Sequence, residues 1–311
     1  MRERELIARL LAPLATTPVA RGLADDAAVL VPPLGRDLVL THDILAAGIH
    51  YLADDPPGDV AWKLLAVNLS DLAAMGARPL GVLLGLGLGP AEDEAWLTAF
   101  TTGLKRGMDR WGVALYGGDT VTGLKQAVLG LTAIGQVDSG AALGRMGARA
   151  GDELWVSGTI GDAGLGLAIA QGRAAPDKFL LGRFRRPEPR LALGRALVGL
   201  ATAAMDVSDG LLIDAERLAA ASGLAVMVDL TLMPVSPAAV ARTTRSDDDL
   251  AALAASGDDY ELLFTAPPHC RAAVLALGAT AIGVVADGSG LTVLGGGGQA
   301  VVPTRLGYEH G

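Results

Sequence analysis

Apolar positions recur along the chain in two periods. Between residues 26 and 137, short alternating or continuous apolar runs at 28–31 (AVLV), 37–42, 80–88 (LGVLLGLGL), 113–116 and 126–137 predict strands. Stretches near 59–75 and 91–111 carry helical spacing and predict helices between them. Residues 138–152, DSGAALGRMGARAGD, lose periodicity and gather glycine, which predicts a boundary. Beyond it the pattern predicts a strand at 153–157, a helix at 161–171, helices near 189–200 and 210–222, and strands near 225–230, 261–265, 281–285 and 291–294. Both halves therefore read as mixed α/β. At the start, Leu6, Leu10 and Leu14 recur at helical spacing with Glu3, Glu5 and Arg9 among them, so an amphipathic helix is expected rather than a signal peptide. No segment approaches the roughly 18 uninterrupted apolar residues of a membrane span, and no membrane partner is expected.

Length changes this picture little: 311 residues suit two domains at about 150 each. Charge changes it more. Lys and Arg number 25 against 34 Asp and Glu, a net charge of −9, which argues against nucleic acid as a partner. The single cysteine, Cys270, excludes an internal disulfide or a cysteine-based zinc site and fits a reducing cytoplasm. The chain has only four lysines and no G-x-x-x-x-G-K-[ST], so a P-loop is excluded. Protein-kinase, serine-hydrolase and zinc-protease motifs are absent as well.

The acidic residues are 25 Asp and 9 Glu, a bias toward caps, turns and hard-metal sites. Six apolar stretches are read as ending in a carboxylate beside small residues: LADDAA (Asp25, Asp26), LVLTHD (Asp43), VNLSD (Asp71), LYGGDT (Asp119), MDVSDG (Asp206, Asp209) and SGDDY (Asp258, Asp259). Any one of these has a simpler reading as a helix cap or Asx-turn. Six together suit oxygen-only ligation of a divalent cation. Mg²⁺ keeps several waters and is held by one or two carboxylates plus substrate phosphates. An acidic pocket repels ATP unless bridging cations reverse the sign of the interaction.

Together, GLADDAAVL (22–30), THDILAAGIHY (41–51), WKLLAVNLSDLAAMGARP (62–79), YGGDT (116–120), MDVSDGLLIDAERL (205–218) and SGDDYELLF (256–264) resemble the thiamine-monophosphate kinase family, in that family's order, from about residue 5 to Tyr308. The resemblance implies a two-domain α/β fold like that of aminoimidazole ribonucleotide synthetase. Residues 1–145 would bind ATP and Mg²⁺ and form a β-barrel shared in a homodimer; residues 146–311 would complete the nucleotide and substrate site. It implies ATP and thiamine monophosphate as partners and several Mg²⁺ ions. Matched metal positions are Asp26, Thr41, His42, Asp43, Asp71, Asp119, Asp206 and Asp209, with Asp43, Asp71, Asp119 and Asp206 expected to carry catalysis. Gly118, Asp119, Arg145 and Ser208 match nucleotide positions. His50, Asp258 and Tyr308 match the acceptor side. Lys63 and Asn68 share a helix with Asp71, and Asn68 is expected to support rather than ligate.

Three positions depart from the family spelling. His42 stands where Thr is usual, so either its backbone carbonyl binds or one metal site differs. Asp258 replaces Glu and is one methylene shorter. Ala24 replaces a Gly, which requires φ below zero there. Competing readings are another ATP-dependent enzyme of the same superfamily and a non-catalytic nucleotide-binding paralogue. Selenophosphate chemistry is disfavoured because Cys270 is the only cysteine.

Overall fold

The computed structural model describes residues 3–309. Their packing divides the chain into two units, Met1–Leu72 with Ala77–Gly140, and Ala73–Gly76 with Ala141–Gly311.

The first unit opens with a helical run whose turns change width. α1 (Glu3–Leu6) passes into a π turn (Ile7–Leu11) and then a 3₁₀ turn (Ala12–Leu14). The wide turn adds a residue, so Leu6, Leu11 and Leu14 are buried and Leu10 is not. The expected strand at 28–31 does not form: Val29 and Val31 are exposed, and the Val29 N–H reaches the Val19 carbonyl instead of a ladder. A β-prone run with no partner strand stays irregular.

A four-stranded sheet follows, from β1 (Arg36–Ala46), β2 (Arg78–Leu88), β3 (Ala114–Thr122) and β4 (Val128–Asp138), in the order β1-β4-β2-β3. β4 runs antiparallel to both neighbours, and β2 and β3 are parallel. A parallel pair needs a crossover, supplied by α3 (Glu94–Trp111). Asp93 caps α3 by accepting the Trp96 N–H at 2.8 Å. α2 (Pro57–Ala74) is buried on nearly every side: Leu64, Leu65, Leu69 and Leu72 are inaccessible, and so are the polar Asn68 and Ser70. A helix this apolar belongs in a core, and its buried polar groups must find partners there.

The second unit holds a seven-stranded sheet in the order β11-β10-β7-β9-β5-β8-β6. Its elements are β5 (Glu153–Val156), α4 (Asp162–Ala170), α5 (Lys178–Arg185), α6 (Leu191–Leu197), β6 (Ala203–Asp206), α7 (Leu211–Ala221), β7 (Ala225–Asp229), α8 (Pro237–Val240), α9 (Asp247–Ala254), β8 (Leu262–Ala266), α10 (Arg271–Ala276), β9 (Thr280–Ala286), β10 (Gly290–Leu294) and β11 (Ala300–Val301). Among the described residues of this sheet, only β10 and β7 pair in parallel. Trp155 and Phe264 anchor one cluster of this unit; Leu211, Leu212 and Leu218 of α7 pack into another. Among the described residues, no helix is long and apolar enough to cross a membrane.

Candidate functional site

Three of the six acidic stretches do not end where their carboxylates stand, α2 running on to Ala74 past Asp71. β1 runs three residues past Asp43, and β3 continues three past Asp119. Both aspartates therefore sit inside strands, because ladder partners extend a strand beyond its apolar run. Asp206 does close β6, and Asp71 lies within α2.

Successive side chains of a strand face opposite ways, so Thr41 and Asp43 share a side of the first sheet. The Thr41 hydroxyl donates to Asp71 Oδ2 at 2.5 Å, and the Asp43 N–H donates to Asn68 Oδ1 at 3.0 Å. The Asn68 amide in turn donates to the Leu64 carbonyl at 2.9 Å, so its orientation is set from both ends. Burial, with the like charge of Asp71 second, pushes the Asp43 carboxyl up to about 6. These donors are all oxygens, and two carboxylates repel one another there, so the set fits a hard divalent cation.

His42 faces the other way. Its Nδ1 pairs with the Thr132 hydroxyl at 2.9 Å and its ring packs over Gly130. Its ring is therefore not on the side of Thr41 and Asp43. Asp119 is in register with Gly85, Gly130 and Ile44, the row beside His42, so the sheet separates it from Thr41 and Asp43. Asp119 shares a cavity of about 460 Å³ with Asp25, Asp26 and Gly118. Arg21 pairs with Asp25, one of the lining residues. Ala24 has φ −101, which satisfies the condition its side chain imposes. Among the described residues, no three His, Cys, Asp or Glu side chains converge closely enough to hold a metal by themselves. The carboxylates come as small sets, the manner in which Mg²⁺ shares its shell with phosphate oxygens and water.

His50 lies in the turn after β1. Its Nδ1 accepts the Ala46 N–H at 3.1 Å, which puts the ring proton on Nε2, and the buried Lys63 ammonium holds its carbonyl at 3.1 Å.

In the second unit, backbone bonds gather residues far apart in sequence. The Asp258 N–H donates to the Ser208 carbonyl, the Tyr260 N–H to Val207, and the Tyr308 N–H to Asp209, each at 2.8 Å. The approach is close enough that a Cβ on Gly257 would stand 2.5 Å from the Ser208 carbonyl oxygen. Asp258 has φ +71 and Tyr260 φ +51, conformations that non-glycine residues adopt only where surroundings impose them. The Tyr260 hydroxyl donates to Asp258 Oδ1 at 3.0 Å. Asp206, Ser208, Asp209, Asp258 and Tyr308 thus belong to one cluster of loops. Arg145 is exposed in the loop before β5, its carbonyl accepting the Ser222 hydroxyl at 3.4 Å.

Sequence reasoning gave no role to several groups around this cluster, and named Asp259 only as part of SGDDY. Asp214 and Arg217 brace the 208–210 loop. Asp259 accepts the Gly161 and Ala163 N–H groups at the start of α4. Glu261, inaccessible, binds Arg183, Arg190 and the Ser157 hydroxyl. The available signal was a carboxylate in the first turn of a helix after S-D-G, a capping pattern.

The AIR synthase related protein N-terminal domain family matches residues 24–137, and the AIR synthase related protein C-terminal domain family matches 149–296. A thiamine-monophosphate kinase of Caulobacter vibrioides is 43% identical over 320 residues, covering 99% of this chain and 91% of that protein. The crystal structure of thiamine-monophosphate kinase from Stenotrophomonas maltophilia superposes with a TM-score of 0.83 at 42% identity, covering 96% of each chain. AaThiL complexed with AMPPCP and TMP gives 0.80 at 30% identity over 99% of each. This chain belongs to the AIR synthase related proteins and, within them, to the thiamine-monophosphate kinase family.

Proposed function

We propose that this chain is a thiamine-monophosphate kinase, transferring the γ-phosphoryl group of ATP to thiamine monophosphate to give thiamine diphosphate and ADP. The observation that carries the reading is family membership along almost the whole chain. A family member held with AMPPCP and TMP supports a nucleotide and an acceptor together.

A phosphate monoester has its second pKa near about 6 and is largely a dianion at pH 7, so the acceptor needs no strong base. Phosphoryl transfer then rests on positioning and charge neutralisation, and a direct in-line transfer without a phosphoenzyme follows. In this reading Asp26, Thr41, Asp43, Asp71, Asp119, Asp206 and Asp209, with the His42 carbonyl, hold Mg²⁺ ions. When bound, these ions neutralise phosphate charge. Gly118, Asp119, Arg145 and Ser208 bind the nucleotide. His50 offers Nε2–H to the acceptor phosphate, Asp258 faces the cationic heterocycle, and Tyr308 stacks on it. Residues 1–145 would serve ATP, Mg²⁺ and dimerisation, and 146–311 the remaining nucleotide and acceptor contacts. The lone cysteine supports a cytoplasmic setting.

A homodimer through the first unit's sheet is part of the reading. Leu38, Leu40 and Ile44 of β1, with Leu83 and Val128, leave an apolar face exposed, of the kind that covers itself with a partner.

The test is thiamine diphosphate formation with thiamine monophosphate, thiamine and aminoimidazole-pathway substrates offered separately. Thiamine monophosphate alone should drive ADP release, and Asp71→Asn should lower turnover at least a hundredfold. ATP binding without turnover on any acceptor would overturn the reading.

A further inference from the structure

Three consecutive backbone N–H groups converge on one buried carboxylate oxygen. Asp214 Oδ2 accepts from Ser208 at 3.1 Å, Asp209 at 3.1 Å and Gly210 at 3.3 Å. Its other oxygen accepts from Arg217 Nη1 at 3.0 Å, and the same nitrogen reaches Asp209 Oδ2 at 2.5 Å. Asp214 is inaccessible to solvent and lies in the first turn of α7, where its own N–H bonds the Gly210 carbonyl. The arrangement extends a capping box: a carboxylate just inside a helix turns back onto the donors that precede it. Gly210 completes it with φ +130, a conformation open to glycine.

The loop so held is the one carrying Ser208 and Asp209, and it follows directly on Asp206. Its carbonyls in turn hold the acceptor-side segments, through Ser208 to the Asp258 N–H and Asp209 to the Tyr308 N–H. We propose that Asp214, with Arg217 as its brace, is a positioning residue for both substrates: it sets the Ser208–Gly210 backbone, and that backbone sets Asp258 and Tyr308. The inference rests on the assignment of Ser208 and Asp209 to the nucleotide and metal side and of Asp258 and Tyr308 to the acceptor side.

The experiment has three arms on the full chain. Amide hydrogen exchange on the wild type is expected to show Ser208, Asp209 and Gly210 strongly protected, and protection to fall at least tenfold in Asp214→Asn, which keeps one acceptor oxygen but loses the charge. Exchange at open-loop rates in the wild type overturns the proposal whatever the variants do. Calorimetric binding of AMPPCP with Mg²⁺ is expected to weaken about tenfold in Asp214→Ala and less than threefold in Asp214→Asn. Kinetically, Asp214→Ala should raise KM for ATP and for thiamine monophosphate together, whereas Asp258→Ala should raise only the second. A folded Asp214→Ala with both KM values within twofold of wild type overturns it, as does equal damage in Asp214→Ala and Asp214→Asn. If Asp214→Ala does not fold, the exchange arm decides. Ser208→Ala and Asp209→Asn separate this proposal from the assignment beneath it: if neither changes nucleotide binding, the assignment has failed; if they do and Asp214 does not, positioning alone has failed.

Discussion

The side-chain amide of Asn68 holds the backbone of Asp43 from 25 positions away in the chain, accepting its N–H at 3.0 Å from a position on α2 that solvent does not reach. This bond fixes where on β1 the Asp43 carboxylate is presented. Asn68→Ala leaves that N–H without its acceptor, a loss of about 1–3 kcal/mol for a buried donor. The melting temperature should fall, and the Mg²⁺ concentration for half-maximal activity should rise at least threefold. An unchanged Mg²⁺ requirement would detach Asn68 from the site and leave it a packing residue.

Gly257 and Gly182 make opposite predictions for one substitution. A Cβ at 257 meets the Ser208 carbonyl oxygen at 2.5 Å, so Gly257→Ala must push the two loops apart. Its expected signature is a KM for thiamine monophosphate raised tenfold or more. Gly182 lies inside α5 with nothing near its missing Cβ. Gly182→Ala should stabilise the chain by up to about 1 kcal/mol through helix propensity and unfolded-state entropy. Activity should stay as it was, and thermal melts with steady-state kinetics on both variants check the pair.

Stability should depend on pH through Asp259. Complete burial pushes its carboxyl from 3.8 to about 8, opposed by the Gly161 and Ala163 N–H groups and by Arg183. The folded chain then keeps a proton that the unfolded chain releases. Its stabilising contribution is fully present below about 4 and is lost as pH rises through about 8. Melting temperature should decline between pH 5 and pH 8 for the wild type, and Asp259→Asn, which cannot titrate, should flatten that decline. Parallel slopes for the two proteins would place the proton elsewhere.

The exposed apolar face of β1 makes the oligomeric state testable. Leu40 is 62% exposed and Ile44 50%, on the same side of the strand. In a dimer built on that face, Leu40→Glu with Ile44→Glu would bury charge without partners, and sedimentation at micromolar concentration should shift from dimer to monomer. The monomer should keep its helical circular dichroism, since neither side chain belongs to the core. A double variant that still sediments as a dimer would move the interface away from this sheet.

Element type and family were settled by local pattern. Strand alternation, helical spacing and the order of the acidic motifs sufficed for the mixed α/β class and for Asp43, Asp71, Asp206 and Asp209 as residues worth attention. Local pattern misplaced what depends on partners. AVLV at 28–31 has a strand's composition and no strand beside it. Leu10 has the right spacing and yields its buried place to Leu11 across a π turn. Which face a carboxylate occupies was decided by register, a relation between strands: it put Asp43 beside Asp71 and sent His42 and Asp119 to the opposite side. The Asp214 clamp and the joining of residues 208–209 to 258 and 308 needed the chain to be folded before they could exist, because a buried hydrogen bond acquires its partner only from what packs against it.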